Sequence, residues 1–334
     1  MPQTVLLSIT DHGVARAVAH QVEGPWSVEM SLANQDIRCL AADPMHPNIV
    51  YAGAQGAGVL RSDDGGQTWQ SSGLAGSIVK SLAASRATPG TVYAGTKPAL
   101  IFVSRDGGVH WEELTSFRRI RSRWFWFSPA EKPFSAYVQA LALSPHDPNI
   151  VIAGIEFGAV VRSTDGGKTW SGHRRGALRD CHSLTYHPHH NGWVYEGGGT
   201  GAGIAVSRDG GARWEQPRAG LDRHYGWAVA ADCDHPEVWY ASLSPGPMKA
   251  HSAANAQAAI FRSTGGADWQ RLSGGLPQPL NAMPYALLTD PAVSGQVYSG
   301  LRNGEVWHSS DYGDTWRQLT FQFPAVYSMA LLRL

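Results

Sequence analysis

Short apolar runs, none longer than a strand needs, recur along the chain with turn residues between them. In IRCLAADPMHPNIVYAG an apolar strand ends at Asp-Pro, a turn follows, and a second strand reads VYAG. GVLRSDDGGQTWQ then supplies a third strand, a tight turn and a strand that begins at Trp. The phrase returns as VQALALSPHDPNIVIAG followed by AVVRSTDGGKTWS. Each unit therefore predicts four short strands joined by Gly-, Pro- and Asp-rich turns. The tryptophans after the turn are Trp69, Trp111, Trp170, Trp214, Trp269 and Trp316, separated by 42, 59, 44, 55 and 47 residues. That is the roughly 40–50-residue period of a four-stranded propeller blade, lengthened twice by insertions.

The two ends supply a seventh unit. VLLSITDHGVARAVAHQVEGPWSVEM matches second to fourth strands, with Trp26 in the turn position, and VYSMALLRL matches the missing inner strand. Sharing one blade between the ends closes the ring and removes an exposed sheet edge. The prediction is all-β: one seven-bladed β-propeller domain over 1–334, of four-stranded antiparallel blades. The blades fall near 37–74, 79–117, 138–176, 181–220, 226–275 and 284–321, with 326–334 joined to 4–32.

The turn itself repeats as SDDGGQTW, SRDGGVHW, STDGGKTW, SRDGGARW and SSDYGDTW. These copies resemble the Asp-box (BNR-repeat) motif S-x-D-x-G-x-T-W, and the resemblance covers nearly the whole chain. The group includes sialidases, xyloglucan hydrolases, sortilin-type receptors and photosystem II assembly factors; this chain is closest in style to bacterial WD40/YVTN/BNR-like repeat proteins. The resemblance implies the fold and says little of function. Degenerate copies agree that the box builds the fold, since STGGADW before Trp269 has lost its Asp. A sialidase would carry six blades, an F-R-I-P motif near the first and an arginine cluster; here FRRI at Phe117 to Ile120 lies in an insertion, which argues against that activity.

Charge adds only an exclusion: 27 basic residues balance 27 acidic ones, so no global field draws nucleic acid or an anionic membrane. No apolar run approaches the roughly 20 residues that span a bilayer. Three cysteines without a framework spacing, and an N-terminal stretch without a basic n-region, lead us to expect a cytoplasmic protein with reduced thiols.

Both insertions fall on the face opposite the boxes, the first over 117–134 and the second over 242–258. The second residue of each inner strand is Arg38, Lys80, Gln139, His182, Trp227, Tyr285 and Tyr327, above an apolar layer of Leu40, Leu82, Leu141, Leu184, Val229, Leu287 and Met329. A polar and aromatic ring is thus expected at the channel mouth on that face, and these residues are candidate ligand contacts. After the strand-two tyrosine the blades place Ala52, Ala94, Ala153, Ala241, Ser299 and Leu7, but blade four places Glu196. A carboxylate in such a position must be paired or protonated. Two readings stay open: a salt bridge to Arg179 within a structural network, or an acid–base or metal site. In the second, Glu196, His182, His224 and Glu156 are candidate catalytic groups, with Arg179, Asp180, Tyr225 and His251 around them. His182, His224 and Glu196 are the candidate ligands of a divalent metal, which no local ligand spacing supports. His187, His189 and His190, in YHPHHNGW, are set aside as a turn on the box face.

The first insertion carries Arg118, Arg119, Arg121 and Arg123, then Trp124, Phe125, Trp126 and Phe127. It is expected to fold down as a lid, with Trp124 and Trp126 as candidate ligand contacts. With Lys80, Lys97 and Arg179 on the same side, the sector favours a small anionic or sugar-like ligand. Function then reads as a hydrolase or lyase acting at the mouth, with metal assistance admitted. The alternative is a non-catalytic binder or scaffold that docks a protein partner through 117–134.

Overall fold

A computed structural model describes residues 3–266 and 268–334. Among them the chain forms seven sheets in sequence order, and their inner strands touch in a closed ring. Those strands are Ile37–Ala42, Ile78–Ala84, Val138–Leu143, Cys181–Tyr186, Tyr225–Ala231, Pro284–Thr289 and Ser328–Arg333. The molecule is a seven-bladed β-propeller of four-stranded antiparallel blades. In blades three and four the fourth strand is vestigial: a single Val206–Glu215 bridge in blade four, and in blade three the Ser171 and Arg174 N–H bonds to the Arg162 and Val160 carbonyls.

The ring closes as the sequence predicts. Ser328–Arg333 pairs antiparallel with Thr4–Thr10, which pairs in turn with Gly13–Ala19. The apolar layer lies where expected, with Leu40, Leu82, Leu141, Leu184, Val229 and Leu287 opposite Ala52, Ala94, Ala153, Glu196, Ala241 and Ser299. The closing blade is one residue out of step: Met329 faces Ser8, and Leu7 faces Ala330.

A box that keeps its Ser and Asp satisfies its turn backbone from within. In blade six the Ser309 hydroxyl donates to Asp311 and accepts from Gly313 N–H, and Asp311 accepts from the backbone and hydroxyl of Thr315. Trp316 then donates from its indole to the Gly313 carbonyl at 2.9 Å. Blades one and three repeat this circuit around Asp64 and Asp165. The second box glycine sits at positive φ, +87° at Gly66, a conformation that a side chain resists.

The glycine of VYAG serves packing between blades. A Cβ on Gly154 would lie 2.2 Å from Cys181 Sγ of blade four, and one on Gly95 would lie 2.6 Å from Val138 of blade three. Removing that Cβ lets the next inner strand approach.

Candidate functional site

The channel mouth opposite the boxes is built by bulges. The inner-strand ladder shifts register between Ile37 and Cys39, Val79 and Ser81, Val138 and Ala140, Cys181 and Ser183, and Pro284 and Ala286. The residues skipped are Arg38, Lys80, Gln139, His182 and Tyr285; blade five skips Trp227 and Ala228. A bulged residue leaves the ladder and is re-aimed. Five of these residues and Tyr327 line one cavity of about 620 Å³, whose wall also includes Tyr137, His251 and the carboxylates Asp11 and Asp36, the last 2.6 Å from Arg38 Nη2. His182 stacks behind Trp227 at 4.5 Å, Trp227 against Tyr285 at 4.8 Å, and Tyr285 against Tyr327 at 6.2 Å.

One side of the mouth is cationic. Lys80 and Lys97 both contact Glu131 Oε1, and Arg38 Nη1 lies 3.6 Å from its Oε2. Lys97 also donates to the Glu131 carbonyl at 2.9 Å. Burial would raise the Glu131 carboxyl, but the three cations outweigh it and hold it below the usual range. Burial lowers the Lys80 ammonium, and Glu131 offsets this only in part. Glu131 escaped the sequence reading because it lies in an insertion without repeat equivalents.

On the other side, His251 is held by the blade-five insertion, which forms a short helix over Pro247–Ala250. Its Nδ1 lies 2.7 Å from the Tyr285 hydroxyl and its Nε2 3.0 Å from that of Tyr225. Burial lowers its pKa, helped by His182 and Arg302, so the ring is neutral near pH 7. Burial pushes the Tyr285 hydroxyl up to about 12 and the Tyr225 hydroxyl higher still.

Behind Tyr137 and Trp227 sits a second group, outside the cavity lining. Glu156, Asp180 and His182 are each at most 7% exposed, with one donor atom from each lying within 4.8 Å of the others. His182 Nδ1 lies 2.7 Å from the Gly226 carbonyl, and Nε2 lies 3.6 Å from Asp180 Oδ2. Burial opposes charge on His182, yet Asp180 and Glu156 raise its pKa. Burial likewise pushes Glu156 up to about 7, against the pull of His182.

The expected metal set of His182, His224 and Glu196 is not assembled. Glu196 is fully buried at the blade three–four seam, where Oε2 accepts the Leu178 N–H at 3.0 Å and Oε1 has no partner among the described residues. Burial pushes its pKa well above the carboxylate range. Burial thus favours its neutral form, and its strand turns it into the seam, away from the mouth. The Arg179 salt bridge does not form either: Arg179 is exposed, and its backbone N–H bonds to Thr200 Oγ1. His224 precedes its strand and is exposed. The histidine turn is a turn: His187 Nδ1 accepts from the N–H groups of His189 and His190.

The first insertion folds down only in part. Phe117 and Trp126 are buried and touch at 5.8 Å, whereas Trp124 and Phe125 are 91% and 83% exposed. Of the two candidate tryptophans, neither lines the cavity.

Sequence and structure comparisons agree with this architecture. The BNR/Asp-box repeat family matches residues 60–71 and 161–171. No curated protein matches the chain by sequence. Among solved structures, an ancestral GH74 enzyme superposes with a TM-score of 0.64 at 18% identity over 89% of this chain and 38% of its own. The chain thus spans well under half the length of that enzyme. YCF48 bound to D1 peptide superposes with a TM-score of 0.59 at 17% identity, covering 88% of this chain and 85% of its own. YCF48 from Cyanidioschyzon merolae gives 0.59 at 14%, covering 92% and 88%. What these neighbours share with the chain is the fold. No helix among the described residues is long and apolar enough to cross a membrane.

Proposed function

We propose that the mouth binds a small anionic molecule, carrying a carboxylate or phosphate, and acts on it by acid–base chemistry of the hydrolase or lyase class. The observation that carries this reading is the cavity wall itself. On one side Arg38, Lys80 and Lys97 outnumber the carboxylates Asp36 and Glu131 by one charge, and His251 stands between two tyrosine hydroxyls on the other. A neutral imidazole donates through one nitrogen and accepts through the other. One tyrosine therefore accepts from the ring and keeps its own proton to give away. The same wall thus offers a proton acceptor and a proton donor, while the single cation in excess on the facing side attracts charge on the substrate.

The test is binding and turnover measured separately. Calorimetry with inorganic phosphate, citrate and sugar acids should detect micromolar to millimolar binding that Lys80→Met weakens by about 10- to 100-fold. His251→Asn should keep the binding and lose turnover of a responsive substrate by roughly 10²–10⁴-fold. A wild-type protein that binds none of these anions sinks the reading.

A second reading is favoured by one observation, the exposure of Trp124 and Phe125 on a basic insertion. In it the ring is a scaffold that docks a protein partner there. Replacing both residues by Ser would then abolish partner capture and leave ligand binding untouched. On this fold one solved neighbour is an enzyme and another holds a peptide.

A further inference from the structure

We infer that Glu156, Asp180 and His182 bind a divalent first-row transition-metal ion that clasps blades three and four together behind the mouth. Glu156 follows the strand Val151–Ile155 of blade three, and Asp180 and His182 open the inner strand of blade four. One ion would therefore join two sheets, the two that lack a full outer strand.

Four observations support an ion rather than a closed hydrogen-bond network. First, His182 directs Nδ1 at the Gly226 carbonyl at 2.7 Å, so Nδ1 carries the proton and Nε2 is free to ligate. This outer hydrogen bond is the one metal-bound histidines use to set their tautomer. Second, Nε2 and Asp180 Oδ2 are 3.6 Å apart, beyond hydrogen-bond length. Two ligands at about 2.0–2.1 Å on a tetrahedral ion stand roughly 3.3–3.4 Å apart. Third, Asp180 Oδ1 is buried without any partner among the described residues. Fourth, a Cβ on Gly199 would lie 2.0 Å from Asp180 Oδ2, so the chain leaves that space to the carboxylate.

Charge points the same way. With a divalent ion bound, both carboxylates ionise and the imidazole presents Nε2 without a proton, so the ligand set carries two negative charges. Besides His182 itself, the cation facing Glu156 is Lys80, which also pairs with Glu131. A divalent ion neutralises the set. One imidazole nitrogen with two carboxylate oxygens suits Zn²⁺, Mn²⁺ or Fe²⁺ and leaves a position open. The inference does not depend on the anion reading, since the cluster lies outside the cavity lining.

The test uses the full chain, stripped with a chelator, dialysed, and titrated with Zn²⁺ or Mn²⁺ alone near pH 7. Native mass spectrometry and calorimetry should find one ion per chain, with a dissociation constant in the micromolar range or below. Saturating metal should raise Tm by several degrees. Asp180→Asn and His182→Gln should each weaken binding at least tenfold, while Glu196→Gln and His224→Ala leave it unchanged. Where either variant fails to fold by circular dichroism, Glu156→Gln carries the same expectation. The inference is overturned if the wild type binds no ion at about 100 μM metal. It is equally overturned if binding survives in Asp180→Asn, or disappears when His189 and His190 of the surface turn are replaced by Ala. Anion binding measured on the same stripped protein reports on the mouth separately.

Discussion

The two faces of the ring solve the same problem in opposite ways. On the box face, a carboxylate such as Asp311 finds every partner within its own hairpin. On the mouth face, Glu131 finds its partners on two blades other than its own segment, and Glu156 and Asp180 share a pocket with each other. A hairpin that closes its own hydrogen bonds can be copied from blade to blade. A site whose charges depend on neighbours cannot be copied, because each blade has different neighbours. Repetition thus marks stability here, and departures from repetition mark the places that can bind.

Substitutions can break or sharpen this contrast. The largest effect is expected at the seam between blades three and four: Gly154→Val forces a Cβ onto Cys181 Sγ, and overpacking there should cost about 3 kcal/mol or prevent folding, read by chemical denaturation. Next, Lys80→Met should lower anion affinity by about 10- to 100-fold in calorimetry, with little change in Tm, since Lys80 balances a partly exposed carboxylate. If Tm falls as far as affinity, the mouth is a structural network and the contrast fails. Asp311→Ala should show the converse, losing about 1–2 kcal/mol of stability with unchanged anion binding.

Glu196 gives a pH-dependent test of the seam. Burial raises the native Glu196 pKa well above 4.5, so the native state holds this proton to higher pH than the unfolded chain does. The native state then binds more protons, so stability falls as pH rises above that value, by up to ~1.4 kcal/mol per pH unit from this group. Glu196→Gln should remove that slope and raise Tm more at pH 8 than at pH 5; an equal change at both would show that Glu196 is ionised in the fold. The smallest effect on stability is expected at Trp124→Ser, within about 0.5 kcal/mol, because an exposed ring loses little packing.

Glu196 also shows where reading by repeats succeeds and stops. Its departure from Ala52 and its equivalents correctly signals a buried carboxyl. The direction of its side chain depends on the seam with blade three, which no repeat comparison contains.

By itself, the sequence determined the blade count, the closure through Thr4–Thr10 and Ser328–Arg333, the box hairpins and the identity of the ring residues. These follow from local turn chemistry and a strand period that each unit carries whole. Only the tertiary structure decided which charges meet. Bulges swing Arg38, Lys80 and His182 out of their ladders, and an insertion brings Glu131 across two blades. Such contacts depend on the radial distance and angle between blades, to which no single segment of the chain corresponds.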